Sequence, residues 1–345
     1  MGPSHDSNET MRAWVVERPA PIDDGPLRLI ERGRPEPRAG QIRVKVLACG
    51  VCRTDLHLAE GDLAVHRPQT TPGHEVVGVV DRVGADATLF AIGDRVGLAW
   101  LAGTCGSCRF CRSGRENLCL APTFTGWDVD GGFAEYMVAD ERYAYALTAP
   151  SDDEWVAPLL CAGIIGYRSL RRSALPAGGR LGIYGFGGSA HLTAQVALAE
   201  GASLYVMTRS EVDQELARSL GATFVGGSFD RPPVALDSAI LFAPVGTLVP
   251  EALAVLDRGG TLAVAGIHLS DVPPLNYQDA LFQERTLTSV TANTRRDGEE
   301  FLALARRIGL RATTVSYAFE DVDTALSDLA HDRFSGAATI RIADD

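Results

Sequence analysis

The chain predicts an α/β protein in two parts, a mostly β first half and a doubly wound parallel sheet after it, and three observations carry that prediction. The 345 residues exceed what one hydrophobic core usually supports, since domains run to about 150 residues. The first half alternates β-rich runs such as Gln41 to Val46 and Glu75 to Val80 with turns rich in Gly, Pro and Asp. From around Arg180 the pattern changes to short apolar runs, Leu181 to Tyr184, Leu204 to Met207, Ala239 to Phe242 and Leu262 to Ala265, separated by helix-length segments. Strands covered on both faces read as continuous apolar runs, the mark of a parallel sheet between helices.

Within that second half, His191 to Glu200 keeps apolar residues at helical spacing and stops at Gly201; Glu211 to Leu220 does the same and stops at Gly221. After Arg285 the chain returns to a β-like run, a helix around Glu299 to Ile308, another around Val322 to Ala330 and a final strand near Ala338 to Ile342. Hydrophobic residues at 46% and charged residues at 22% match a globular chain with enough apolar surface to offset its ordering entropy. The polar opening Met1 to Thr10 has no apolar stretch, so a frayed tail is expected in place of a signal peptide, and a cytoplasmic location by default. No apolar run reaches the roughly 18 to 20 residues that span a bilayer. A formal charge of -12 repels phosphate backbones, so neither membrane nor nucleic acid is expected as a partner.

Seven cysteines without a secretory signal point to metal ligation more than to disulfides. Cys105, Cys108, Cys111 and Cys119 follow C-x2-C-x2-C-x7-C, close enough to converge on one tetrahedral ion. Zinc suits four thiolates, which leave no open position, so this lobe is expected to serve stability; Arg109, Arg112 and Arg115 interleave with the thiolates and are expected to offset their charge. Ordinary buried cysteines or a disulfide pair, and a ferredoxin-like iron–sulfur cluster, are the competing readings, the last disfavoured because the chain shows no second redox centre. Cys49 reads as a small buried side chain.

A second constellation is spread more widely. Gly50-Val51-Cys52-Arg53-Thr54-Asp55-Leu56-His57 is followed by Gly73-His74-Glu75, and Cys161 stands in Leu159-Leu160-Cys161-Ala162-Gly163. Two cysteines and one histidine would hold zinc while leaving a fourth position open. If the residues after Cys52 are helical, Thr54 and His57 share a face at i and i+3. Taken singly, Asp55 reads equally as a helix cap and His57 as a surface imidazole. His5, His66, His191, His268 and His331 lack metal-type companions and are read as solvated or structural. Leu181 to Tyr184 leads into Gly185-Phe186-Gly187-Gly188-Ser189-Ala190 and a helix, a dinucleotide fingerprint whose glycines let the backbone approach a pyrophosphate at the helix N-terminus.

Taken together in this order, GVCRTDLH, PGHEVVG, the four-cysteine lobe and LLCAG resemble the zinc-containing alcohol dehydrogenase branch of the medium-chain dehydrogenase/reductase superfamily, over roughly Met11 to Ile342. The resemblance implies a GroES-like catalytic domain over residues 1–150, completed by 287–345, and a Rossmann NAD(P)-binding domain over 151–286. It implies Cys52, His74 and Cys161 as catalytic zinc ligands, Glu75 as a nearby acid, Asp55 on the free N–H of His74, and Thr54 and His57 as a proton relay. With the lobe, two zinc ions per subunit are expected. Gly185, Gly187, Gly188 and Ser189 would take the pyrophosphate, and the backbone near Ala243, Ile267 and Ala292 the nicotinamide. Where NAD-binding relatives usually carry an acid for the ribose 2'-hydroxyl, this chain has Thr208-Arg209-Ser210; Arg209 can pair with a 2'-phosphate, so NADP is expected over NAD. Gly336-Ala337-Ala338 stands where many relatives carry a Gly-Arg pair for the pyrophosphate. Trp100 and Leu63 are expected in the substrate wall, the substrate being a small alcohol, aldehyde or ketone and the assembly a homo-oligomer. A polyol dehydrogenase, a cinnamyl-type aryl-aldehyde reductase and a non-catalytic zinc protein retaining the fold are the alternatives.

Overall fold

The computed structural model describes residues 9–147 and 153–343. Most of the expected frayed tail, and the expected domain junction at 150, lie outside those residues. The tail ends sooner than expected: Thr10 already opens the strand Thr10–Val16, paired antiparallel with Leu27–Gly33. Among the described residues no helix is long and apolar enough to cross a membrane.

The chain divides into two units, one running to Leu160 and resuming at Thr314, the other Cys161–Thr313. In the first, the long strand Gln41–Val51 is the spine. It pairs antiparallel with Glu75–Val83, Tyr136–Asp140 and the returning strand Ala337–Arg341. Its apolar residues Ile42, Val44 and Val46 meet Val76, Val80 and Phe133 in one core, and burial of such side chains is worth about 1.5–3 kcal/mol each. The register sets Gly50 opposite Glu75. The carboxyl end of one strand, at Cys52, therefore meets the amino end of its neighbour, at His74. Leu160 is fully buried, and its side chain fills the space left by Gly97, where a Cβ would stand 2.6 Å from it. Cys161 is bonded directly to that anchored residue.

The second unit holds a parallel sheet in the order Phe224–Gly226, Ser203–Met207, Arg180–Tyr184, Leu236–Leu241, Leu256–Val264, Thr286–Ser289. Chain order runs outward in both directions from the central pair Arg180–Tyr184 and Leu236–Leu241, so the switch point lies between these two strands. The helices Ala162–Arg172 and Gly188–Ala199 pack closely where Gly166 leaves room for Thr193: a Cβ there would sit 2.3 Å from its hydroxyl.

The expected return to the first domain at residue 287 is corrected. Thr286–Ser289 is the sixth strand of the parallel sheet, paired with Leu256–Val264. The next helix is longer than expected and spans Arg295–Ile308, opened by a capping box between Thr294 and Asp297. It packs on Ala162–Arg172 through Phe301 against Gly163, an Arg168–Asp297 ion pair at 2.6 Å and a Tyr167–Glu300 hydrogen bond at 3.1 Å. These contacts hold it to the parallel-sheet unit, and the chain crosses back only at Thr314.

Candidate active site

The strand Gln41–Val51 passes through Cys52 directly into the helix Arg53–Glu60, which ends at Gly61 in the left-handed region, φ +86°. Asp55, fully buried, organises this turn. Its Oδ2 accepts the Cys52 N–H at 3.0 Å, its Oδ1 accepts the Gly73 N–H at 2.9 Å and lies 3.0 Å from His74 Nδ1. Capping and histidine orientation, alternatives in sequence, are one arrangement here. A buried carboxylate persists because its lone pairs are satisfied.

His74 is also fully buried. With Nδ1 directed to Asp55, its Nε2 has no hydrogen-bond partner. One donor atom each from Cys52, His74, Glu75 and Cys161 lie within 4.8 Å of one another. An orphaned buried nitrogen costs about 1–3 kcal/mol, and two thiols, an imidazole and a carboxylate are a donor set that suits zinc. Burial works against the imidazolium, but the Asp55 carboxylate outweighs it and raises the His74 pKa well above its ordinary value. A metal ion at Nε2 would take the place of that proton.

Glu75 stands inside the donor cluster and not merely beside it. Gly50, across the register, makes that possible: a Cβ at position 50 would fall 1.8 Å from Glu75 Oε2 and 2.9 Å from its Cβ. Gly50→Ala is expected to displace this carboxylate and lower kcat/KM by about ten- to a hundredfold, the equivalent of 1–3 kcal/mol of overpacking. Steady-state kinetics beside a thermal melt checks this; unaltered kcat/KM would remove Glu75 from the site's working parts.

Thr54 is buried, its Oγ1 3.7 Å from Cys52 Sγ. His57 lies on the same helix face, and its Nδ1 is 2.8 Å from Asp62 Oδ2, a partner that the sequence alone did not single out. Trp100 meets the His74 ring edge-on at 5.0 Å and stacks on Phe124 at 4.8 Å and Trp127 at 6.0 Å. His66 stacks in turn on Trp127 at 4.2 Å and binds Asp128 at 2.7 Å. Trp100 is therefore the inner member of an aromatic row, of which Phe124, Trp127 and His66 were not anticipated. Leu63, half-buried, donates its N–H to the His57 carbonyl at 3.3 Å.

In the lobe the sulfurs of Cys105, Cys108, Cys111 and Cys119 lie within 4.8 Å of one another. Backbone N–H groups of Ser107 and Cys108 pull the Cys105 thiol down to about 6, while desolvation pushes Cys111 up to about 11. The expected role of the arginines is revised: the Arg109 and Arg115 guanidinium groups lie over the Phe110 ring, at 4.6 and 5.4 Å, and the backbone supplies the donors that stabilise thiolate. Cys49 is fully buried, and burial raises its thiol well above the usual range.

In the second unit Gly185 adopts φ +83°, and a Cβ there would sit 2.9 Å from the Ala243 nitrogen across the switch point. Gly187 is exposed and extended, and a Cβ on it would meet nothing within 4 Å, so this face of the backbone is open to approach. Gly188 and Ser189 form the first turn of the helix that follows, whose N-terminus carries no side-chain cap. Buried Thr208 and exposed Arg209 follow the strand Ser203–Met207, while Ala243, Ile267 and Ala292 follow the carboxyl ends of the last three strands. That is the edge on which such sheets bind ligands. Arg333, near the missing Gly-Arg pair, is bound to Asp328 at 2.8 Å.

Two family descriptions match: the alcohol dehydrogenase GroES-like domain over residues 38–149 and the zinc-binding dehydrogenase domain over residues 188–307. A probable alcohol dehydrogenase of Mycobacterium tuberculosis is 56% identical, covering 96% of this chain and 98% of the relative. An alcohol dehydrogenase of Geobacillus stearothermophilus is 33% identical, covering 92% and 96%. The structure of a CAD from Helicobacter pylori complexed with NADP(H) superposes with a TM-score of 0.88 at 25% identity, covering 96% and 98%. The chain thus belongs to the zinc-containing alcohol dehydrogenases of the medium-chain dehydrogenase/reductase superfamily and is an NAD(P)-dependent oxidoreductase acting on alcohols.

Proposed function

We propose that this chain interconverts small or flat alcohols with their aldehydes or ketones using NADP in preference to NAD, with two zinc ions per chain. The observation that carries the reading is the convergence of Cys52, His74, Glu75 and Cys161 around an imidazole nitrogen with no other partner. These residues would hold the catalytic ion, and Cys105, Cys108, Cys111 and Cys119 the second. When bound, zinc acidifies a substrate hydroxyl and polarises a carbonyl, and the nicotinamide carries the reducing equivalents. Thr54, with its Oγ1 3.7 Å from Cys52 Sγ, would relay the proton of the substrate hydroxyl. His57 provides the exit toward water, with its ring oriented by Asp62. Asp55 fixes the tautomer of His74 and strengthens it as a ligand. The row of Trp100, Phe124 and Trp127 favours flat substrates, which supports the cinnamyl-type alternative; relative kcat/KM for cinnamyl alcohol and 1-butanol decides between the two.

The overall test is oxidation of NADPH and NADH with a panel of aldehydes before and after chelation. Turnover lost on chelation and restored by zinc is the expected result, and chelator-insensitive turnover would sink it. For the cofactor, Arg209 offers a charge-assisted bond to a 2'-phosphate. NADPH is expected to exceed NADH in kcat/KM, and Arg209→Ala to remove about ten- to a hundredfold from the NADPH value alone. Equal losses with both nucleotides would remove Arg209 from the discrimination.

A further inference from the structure

We propose that His191 is a positioning residue for the dinucleotide, holding the Gly187–Gly188 peptide so that the Gly188 N–H points out of the helix toward the pyrophosphate. The inference rests on the reading of Gly185–Ser189 as the nucleotide loop. His191 lies one turn into the helix Gly188–Ala199 and is fully buried. Its Nδ1 is 3.3 Å from the Gly187 carbonyl oxygen, and its Nε2 accepts the Thr313 backbone N–H at 3.2 Å. Because Nε2 accepts, the ring proton resides on Nδ1, which donates to Gly187; the two contacts fix the tautomer. Burial pushes the imidazole down to about 4, so this neutral form persists at ordinary pH.

The Gly187 carbonyl also accepts the backbone N–H of His191, at 3.1 Å. A trans peptide is planar, with its carbonyl and N–H opposed. Clamping the oxygen with two donors therefore aims the Gly188 N–H the other way, out of the helix N-terminus, where a phosphate binds. Gly187, lacking a side chain and meeting nothing on its open face, cannot restrain that peptide by itself. The anchor is firm on its far side. Gln195, one turn further along, brackets the Arg311 backbone, donating to its carbonyl at 2.9 Å and accepting its N–H at 3.3 Å. The Thr313 bond, on a segment pinned to the same helix, therefore serves to fix the ring's tautomer, a choice that an amide nitrogen at the Nδ1 position does not require.

Two substitutions separate the two bonds. His191→Asn places an amide nitrogen near the position of Nδ1 and keeps the Gly187 bond; His191→Gln places an amide oxygen near Nε2 and keeps the Thr313 bond. Dissociation constants for NADPH and NADH are measured by fluorescence titration on the zinc-loaded full chain, wild type first. His191→Asn is expected to stay within about twofold of wild type and His191→Gln to weaken binding about fivefold or more, with the loss falling on nucleotide KM and not on kcat. Equal weakening in both variants, or in neither, overturns the positioning role. A wild-type chain that binds no nucleotide overturns the loop reading itself, before any substitution is made. Should a variant fail to fold, wild-type protein labelled with 15N-histidine keeps the test: the His191 Nδ1–H resonance shifts when NADPH is added, and an unmoved signal refutes the role.

Discussion

His74→Ala is expected to lower the zinc content from the proposed two ions per chain to one, and to lower kcat/KM at least about a thousandfold. A Lewis-acid ion is worth several kcal/mol in the transition state, and each 1.36 kcal/mol is about tenfold in rate. The substitution removes a donor atom, Nε2, that has no hydrogen-bond partner and leaves the buried Asp55 carboxylate with its backbone partners, Cys52 and Gly73. A drop in stability accompanies the loss of activity, so metal analysis, and not turnover alone, decides the matter. One zinc retained, with the four-cysteine lobe intact, is the expected count. Asp55→Asn is the milder companion: the His74 tautomer loses its charged partner, and the fall is about ten- to a hundredfold. Two zinc ions retained in His74→Ala at full turnover would remove His74 from the ligand set.

The parts of the site differ in how much of them could be read from sequence, and distance along the chain explains the difference. The four lobe cysteines are close neighbours, so their spacing alone brings them together. Cys52, His74 and Cys161 are far apart, so their residue types suggested zinc but only the resemblance assigned them to one ion; the register Gly50 opposite Glu75 and the buried Leu160 supply the physical reason. Gly50 drew no reading of its own from the sequence, because what it clears space for sits on another strand. Phe124, Trp127 and the stacking role of His66, which was read as solvated or structural, were missed for the same reason, whereas Asp62 lies only five residues from His57 and went unread because no motif marks it. His191 was read as solvated or structural since its partners are backbone atoms, which leave no mark in a residue pattern.

The domain boundary failed for a different cause. Thr286–Ser289 is a short edge strand whose residues are mostly exposed, so it lacks the continuous apolar run of its parallel neighbours and resembles the β-rich first half. The signal for the helix after it was nonetheless present, in Thr294 and Asp297 at capping-box spacing. The polar first turn Arg295-Arg296, with no apolar residue until Phe301, masked it. At the nucleotide loop, by contrast, strand, glycines and helix are consecutive, and the expected order appears intact in the structure.

Removing the lobe's metal is expected to unfold residues 105–119 locally while the two sheets persist. Its helix Arg109–Arg112 buries no residue, and Leu118 and Leu120 are exposed, so no apolar core of its own holds the segment once the ion is gone. Metal binding is then the local folding free energy. Chelated protein should be cleaved by trypsin after Arg109, Arg112 or Arg115 at least about tenfold faster than zinc-loaded protein, with little change in far-UV circular dichroism, because opening of a few kcal/mol governs such cleavage. The pH dependence follows from the thiols. With Cys105 near 6 and Cys111 near 11, the first is mostly thiolate at pH 8 and the second still carries a proton that zinc must displace. Apparent affinity of the lobe for zinc therefore rises with pH, by about tenfold per unit for each proton released, and falls more steeply below pH 6, where Cys105 must also be deprotonated. Competition with a chromophoric chelator between pH 5 and 8.5 measures both slopes. A flat profile would mean that the ion is held by groups other than these thiols.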